Sequence, residues 1–430
     1  MSILLYRDRD GLRDLVGQID YENGKAGTFL YDTEYLARSQ LAGELGISEL
    51  LPLDPDPFSA EEFGAFFRGL LPEGEIYGNL SELYQIPRSD YLGMLERMGC
   101  ESIGALTFIS DRANPDEYEP RYEEVPSGTF EEMSRDPVRL ATITASSTRL
   151  SLSGAQSKVA WFLPQGVDAG KASHNDWRTP LGTAPSTHII KISRTGEEAI
   201  ALNELACSLL AAECGIETAK AHILPDVPGV IAVERYDRAW LPTEDGEIVA
   251  RLHQEDFCQA LGLAPFFKYQ PAGVTTNYPA MMANLIESTC ENPLADKLDL
   301  ARRLVFCYAM GNSDAHLKNF SLLYNRKWTG RKLAPLYDVT CIPLTGYSTA
   351  MPFDIGRHRA LNEIDERDLV ELADDLDTGL DSFSQIVQDV VTTLSSPMIS
   401  PSDKNTEDMA TRILENSLPR IKVLEGFLGR

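Results

Sequence analysis

The sequence predicts an α+β protein in which a small β-rich module precedes two lobes, the first mostly strand and the second mostly helix. Near the start, short stretches alternate apolar and polar residues between turn-rich spacers. Segments rich in β-formers then fill residues 145–240 around one strong helical pattern. From about residue 252 helical periodicity dominates, interrupted by a single hairpin pattern.

Taken in order, "SILLYRD", "LVGQIDYE" and "GTFLYD" are expected as short antiparallel strands. "SAEEFGAFFRGLLPEG" is expected as a helix, with Ser59 as cap, Glu61 and Glu62 in the first turn, and Pro72 and Gly74 as its stop. "SDYLGMLERMG" repeats that logic: Ser89 or Asp90 caps it, Tyr91, Leu92 and Leu95 share a face, and Gly99 ends it. Residues 111–137 are acidic, polar and broken by four prolines, the pattern of an exposed connection, with a ragged strand pair around "RYEEV" as the other reading. In the first lobe, "SKVAWFLPQG", "STHIIKIS" and "GVIAVERYDRAW" are strand-forming, and "EEAIALNELACSLLAAECGI" is an amphipathic helix ended by Gly215. In the second lobe, "SLLYN" and "KLAPLYDVT" form the hairpin. The expected boundaries are a module at 1–110, an acidic linker at 111–137, a first lobe at 138–250 and a second at 251–430.

Composition narrows the function classes. A chain of 430 residues is too long for one small domain, and its 43% hydrophobic content suffices for sizeable cores. The seven cysteines are scattered, odd in number and never in a C-x-x-C pair, which argues against a zinc site or disulfide framework. No run approaches the roughly 18 to 20 apolar residues of a membrane span. The opening "MSILLYRDRD" meets charges too soon for a signal peptide, so a cytoplasmic protein is expected. A net charge of −26 repels polyanions, and no Lys/Arg cluster offsets it. That balance fits either plain solubility or a surface for a basic partner.

"GNSDAHLKNFSLLYN", residues 311–325, is where chemistry is expected. Asp314 and Asn319 stand five positions apart, the D-x-x-x-x-N spacing of kinase catalytic loops, in which the Asp takes the proton of the attacking hydroxyl and the Asn binds metal. The spacing alone is weak, because it recurs by chance in many loops. Asp338, 19 residues after Asn319 and past the hairpin, occupies the place of a second metal-binding carboxylate, although a strand-ending turn Asp would look the same. Lys191, in the strand pattern "STHIIKIS", suits a phosphate-holding lysine; a lysine at a strand edge with its ammonium in solvent is the plainer alternative. Glu204 on the following helix offers it a carboxylate partner, with Asn203 an equally available polar neighbour. Upstream, "RLSLSGAQSKVAWFL" has one glycine where a glycine-rich loop would carry three. Its small residues Ser151, Ser153, Gly154 and Ala155 still allow backbone N–H groups to approach phosphates. "GVDAGKAS" is not a Walker A loop, because its glycine spacing is wrong and Ala follows Lys171.

With these parts in place, the chain resembles the HipA-type serine/threonine kinases, the toxin half of bacterial HipBA toxin–antitoxin modules, over nearly its whole length. "FFRGLLPEG" and "ESIGALTF" resemble that family's N-terminal module, "SLSGAQSK" its phosphate loop and "THIIK" its lysine strand. "AVERYDR" resembles its interlobe hinge, "QEDFCQALG" the segment after it, and "SDAHLKNFSLL" with "LYDV" its catalytic and metal-binding segments. The resemblance implies a two-lobed protein-kinase-like fold with an N-terminal accessory module, using ATP and Mg²⁺. It implies Asp314 as catalytic base, Asn319 and Asp338 as Mg²⁺ ligands, and Lys191 as the phosphate contact supported by Glu204. Ser153, Gly154, Ala155, Gln156 and Lys318 would contribute to ATP binding, with Glu234 and Tyr236 lining the adenine pocket from the hinge. Ser151 aligns with a serine that the family autophosphorylates; Ser153, at a position usually smaller, leaves the assignment open between the two. A phosphoserine there adds about −1.5 to −2 charges to a site that must hold phosphates, which would silence it. His316 is expected to fix the loop by hydrogen bonding. The implied partners are a dimeric HipB-like helix-turn-helix antitoxin, DNA only through that antitoxin, and a protein substrate in translation such as an aminoacyl-tRNA synthetase, with no membrane.

Two rivals remain at this stage. Aminoglycoside phosphotransferase-type kinases also carry a D-x-H-x-x-N loop, but lack a module containing "FFRGLLPEG". A catalytically silent repressor-binding pseudokinase would be favoured by loss of any expected polar group, and all are present.

Overall fold

The computed structural model of this chain describes residues 2–22, 25–149, 152, 156–194, 196–225, 227–244, 246–399 and 403–429. The chain divides into two compact units. Unit one comprises Met1–Glu198, His222–Pro265 and Leu323–Gly330; unit two comprises Ala199–Ala221, Phe266–Leu322 and Arg331–Arg430.

Unit one begins with a five-stranded antiparallel sheet ordered Phe58–Ser59, Lys25–Tyr31, Leu12–Glu22, Ser2–Arg9, Leu106–Ser110. Alternation in the first strand buries Ile3 and Leu5, and carries Arg7 inward with them. The helix Ala60–Gly69 inserts Phe63, Phe66 and Phe67 into the same core as Phe29 and Phe108. Its start follows the sequence logic, since the Ser59 amide donates to the Glu62 carboxylate at 2.6 Å. Asp90, rather than Ser89, caps the helix Tyr91–Met98 by accepting from the Gly93 amide at 3.0 Å. Gly74, expected as part of a stop, instead opens another helix, Gly74–Tyr84. Arg7 is held by the Glu44 carboxylate at 2.7 Å and lies between the Tyr35 and Trp328 rings, 5.0 and 4.7 Å from their centroids.

A second sheet in this unit sets His188–Ile192 between Val230–Glu234 and Lys158–Trp161, both antiparallel to it. Ile190 and Ile192 face a core with Val159, Trp161, Trp177, Val230 and Ala232. Within 111–137, Arg121–Glu124 is a strand paired with Arg178–Leu181, and Thr129–Arg135 is a helix. Pro137 does not break structure but opens the helix Pro137–Thr148, where a missing N–H costs nothing.

Unit two is helical: Ala199–Glu213, Tyr278–Thr289, Pro293–Met310, Glu366–Asp375, Leu380–Ser395 and Lys404–Leu428. Pro293–Met310 runs through its core, with everything from Arg303 to Met310 buried. That helix must stop sharply to deliver the polar loop after it, and Gly311 stops it in the left-handed region at φ 72°. A side chain at Gly311 would also press on Arg420 and Pro343, each 3.0 Å from the Cβ position. Arg420 in turn donates to the last-turn carbonyl of Ala309 at 3.0 Å. Among the described residues no helix is long and apolar enough to cross a membrane.

Candidate active site

In unit two the loop from Gly311 is organised around the main chain of Asp314. Its carbonyl accepts from the His316 amide at 2.7 Å and from the Asn319 side-chain amide at 2.8 Å. The His316 carbonyl accepts from the Asn319 amide at 2.8 Å, closing a single 3-10 turn over Leu317–Asn319. His316, Lys318 and Asn319 are buried, whereas Asp314 is half-buried. Its Oδ1 accepts from the Tyr269 hydroxyl at 2.5 Å. The Tyr269 ring also meets the His316 ring edge-on, 5.1 Å between centroids.

Asp338 belongs to the same unit and has φ 57°, a left-handed conformation that Asp tolerates better than most side chains. Its neighbour Tyr337 donates to the Lys318 carbonyl at 2.7 Å and lies 2.7 Å from the Ser321 hydroxyl, so this segment is fastened to the residue before Asn319. The Ala334 amide donates to Ser321 at 2.8 Å, the base of the expected hairpin. Beyond Asp338 the chain is gripped by Asn203, whose amide accepts from the Cys341 N–H at 2.8 Å and donates to its carbonyl at 3.0 Å. Asn203 is thus committed to this backbone. Glu204, next to it on Ala199–Glu213, is 3% exposed.

In unit one Lys191 is 6% exposed on the inner strand of its sheet, not at an edge in solvent. Its cross-strand partners are Ile231 and Lys158, so two lysines stand opposite each other on one face. Lys158 escaped the sequence reading; the final Lys of "SLSGAQSK" opening a strand was the available signal. Gln156 is half-buried; Ser151, Ser153, Gly154 and Ala155 lie outside the described residues. Glu234 ends its strand opposite His188, and the Tyr236 hydroxyl donates to Gln254 at 2.5 Å.

The segment "ERYDR" contains more than a hinge. Arg235 donates to Glu101 at 2.9 Å and to both Asp237 oxygens at 2.9 and 2.7 Å. Arg238 reaches Glu101 at 2.8 Å, Arg251 bonds the other Glu101 oxygen, and the Gly104 amide donates to Asp237 at 2.8 Å. These five charged side chains are buried together, joining "ESIGALTF" to the hinge sequence. Burial pushes the Glu101 carboxyl up, but Arg251, Arg238 and Arg235 outweigh it and hold the group down at about 2. The same contest, won by Arg235 and Arg238, holds Asp237 well below the usual carboxylate range.

The thiols show no sign of reactivity: all seven cysteines are free, and burial pushes Cys214 and Cys307 up to about 12. Among the described residues no group of three or more His, Cys, Asp or Glu side chains could hold a metal.

A β-sheet with a buried lysine on its inner strand, and a helical unit whose Asp-x4-Asn loop is tied through Tyr337 to the segment that carries Asp338, are features shared with kinases. The chain belongs to the HipA family: residues 150–398 match the HipA-like C-terminal domain and residues 12–109 the HipA N-terminal domain. It is 30% identical to Y4mE of Sinorhizobium fredii over 414 residues, 94% of this chain and 90% of that protein. It is 27% identical to the serine/threonine-protein kinase toxin HipA of Shewanella oneidensis over 346 residues, 77% of this chain and 73% of that one. A chain in the solved complex of the Shewanella oneidensis MR-1 toxin–antitoxin system HipA, HipB and its operator DNA shares the fold. The TM-score is 0.78 at 21% identity, covering 100% of this chain and 99% of that chain. The protein is therefore a kinase of the HipA family, with that family's mixed α and β architecture.

Proposed function

We propose that this kinase is the toxin of a toxin–antitoxin pair, transferring the γ-phosphoryl group of ATP to serine or threonine on a protein of translation such as an aminoacyl-tRNA synthetase. The observation that carries this is the Asp314 loop, which buries its scaffold and leaves the carboxylate half-exposed. Asp314 takes the proton of the acceptor hydroxyl as its oxygen bonds to the γ-phosphorus, while the β–γ bridging bond breaks and ADP leaves. Lys191, assisted by Lys158, Lys318 and the backbone of residues 153–156, holds phosphates. Glu204 supports Lys191, and Glu234 and Tyr236 line the adenine site.

Asn319 and Asp338 fit a magnesium ion by donor chemistry. The Asn319 nitrogen is committed to the Asp314 carbonyl, so its oxygen is the atom on offer, and a carboxylate completes a pair of hard oxygen donors. Bound there, Mg²⁺ supplies charge neutralisation to the phosphate oxygens. The pairing of "ESIGALTF" with the hinge supports an arrangement of accessory module 1–110, connection 111–137 and lobes 138–250 and 251–430. Ser151, or else Ser153, is the self-modified residue. A net charge of −26 suits a basic, DNA-binding HipB-like antitoxin, through which alone DNA is met in the cytoplasm.

Intact-mass spectrometry of phosphatase-treated protein after incubation with ATP and Mg²⁺, with peptide mapping, tests this proposal. Wild type is expected to gain phosphate on Ser151 or Ser153. Asp314→Ala is expected to be slower by about 10²–10⁴-fold with an unchanged unfolding midpoint. Nucleotide binding without transfer to self or to a serine peptide library would leave a regulatory pseudokinase. Absence of nucleotide binding would remove the ATP reading altogether.

A further inference from the structure

We infer that Tyr269 positions the Asp314 carboxylate for proton acceptance, an inference that rests on the kinase reading above. The Tyr269 hydroxyl donates to Asp314 Oδ1 at 2.5 Å from a segment 45 residues upstream in sequence. Such a bond to an ionised acceptor is stronger than one between neutral groups, and it fixes the direction of the carboxylate plane.

Tyr269 is itself 40% exposed, but the backbone that carries it is fixed, because the buried residue that follows it is gripped from several sides. The Gln270 amide donates to Pro352 at 2.9 Å, and its carbonyl accepts from Arg359 at 2.8 Å. Its side chain donates to Asp354 at 2.8 Å and to Val274 at 2.9 Å, and accepts from the Asp354 amide at 2.8 Å. Arg359 also pairs with Asp354 at 2.9 Å. The clamp fixes the backbone that presents the phenol, and the His316 ring steadies the Tyr269 ring from the loop side. The elements are thus a carboxylate, a donor aimed at it and a rigid support for the donor. They match the demand that a general base be oriented as well as ionised.

Tyr269→Phe keeps the ring against His316 and deletes only the O–H, so it isolates the hydrogen bond. The probe is a degenerate serine peptide library, with ADP release and peptide phosphorylation measured on the full chain. Tyr269→Phe is expected to lower kcat by about tenfold, the effect of losing one hydrogen bond to a charged group, with KM for ATP and the unfolding midpoint unchanged. Replacing Tyr269 by 4-aminophenylalanine, which restores a donor at the same place, is expected to recover most of that loss. A Tyr269→Phe rate equal to wild type overturns the inference. So does a faster rate, which would make the tyrosine an occluder, or a failure of the amino variant to recover. If wild type transfers no phosphate, or Asp314→Ala transfers it as fast as wild type, the kinase reading or its base falls first and this role falls with it.

Discussion

In unit one, Glu101 and Asp237 lie buried among Arg235, Arg238 and Arg251, and each carboxylate meets at least two guanidinium or amide donors. In unit two, Asp314 is half-buried; its loop is held through main-chain atoms, and the Tyr269 hydroxyl donates to its side chain. The first arrangement spends its charges on one another and serves architecture. The second commits backbone to architecture around a half-buried carboxylate, the one proposed above as the base. The difference teaches that acidic and basic residues packed into a short motif, as in "ERYDR", need not be chemistry. The carboxylate proposed as the base differs in having a fixed backbone beneath a side chain that still reaches solvent.

Breaking the buried network should produce the largest change in stability. Arg235→Ala removes a buried guanidinium that bonds both Glu101 and Asp237, and a loss of about 3–5 kcal/mol in denaturant unfolding is expected. An unchanged midpoint would mean the network contributes no more than a surface pair. The pH dependence sharpens the same point. Because Glu101 is held at about 2 in the fold, below its ordinary 4.5, its contribution is fully present above pH 4.5. It disappears as pH falls toward 2 and is about 3 kcal/mol at most. Glu101→Gln should therefore show a shallower fall in stability than wild type between those pH values. Equal slopes would remove Glu101 from the account of acid unfolding. The smallest effect is on the loop side. Gly311→Ala forces a side chain into a left-handed residue pressed by Arg420 and Pro343, and about 1–2 kcal/mol of destabilisation is expected, with a loss of activity from the displaced loop.

Local rules made much of this molecule legible. Alternation gave the first three strands, Ser59 with Glu62 and Asp90 gave helix starts, and Gly215 lies just past the end of Ala199–Glu213. Spacing, with the hairpin between, singled out Asp314, Asn319 and Asp338 as candidates; all three lie in unit two, where Tyr337 ties the Asp338 segment to the loop of the other two. Punctuation misled where one residue can serve two ends: Gly74 opens a helix instead of closing the previous one, and Pro137 occupies a first turn. The remainder had no local signal. Arg235 finds Glu101 134 residues away, and Tyr269 finds Asp314 across 45, separations that no periodicity encodes. Asn203 and Glu204 were equivalent as sequence neighbours of a lysine strand; only the Cys341 backbone separates them, by occupying the amide.

Trp328 and Tyr324 belong to the same hydrophobic core as Phe29, Phe67 and Phe108, and Trp328 closes one side of the slot that holds Arg7. During synthesis, an N-terminal sheet begun by its first ten residues waits for some 320 more before that slot has both its walls. Until then Arg7 has Tyr35 and Glu44 but no indole above it. Since the Asp314 loop is translated just before Trp328, the last aromatic piece of this core and the loop proposed to carry the chemistry leave the ribosome almost together. The nascent chain therefore closes the Arg7 slot only after the Asp314 loop has been made.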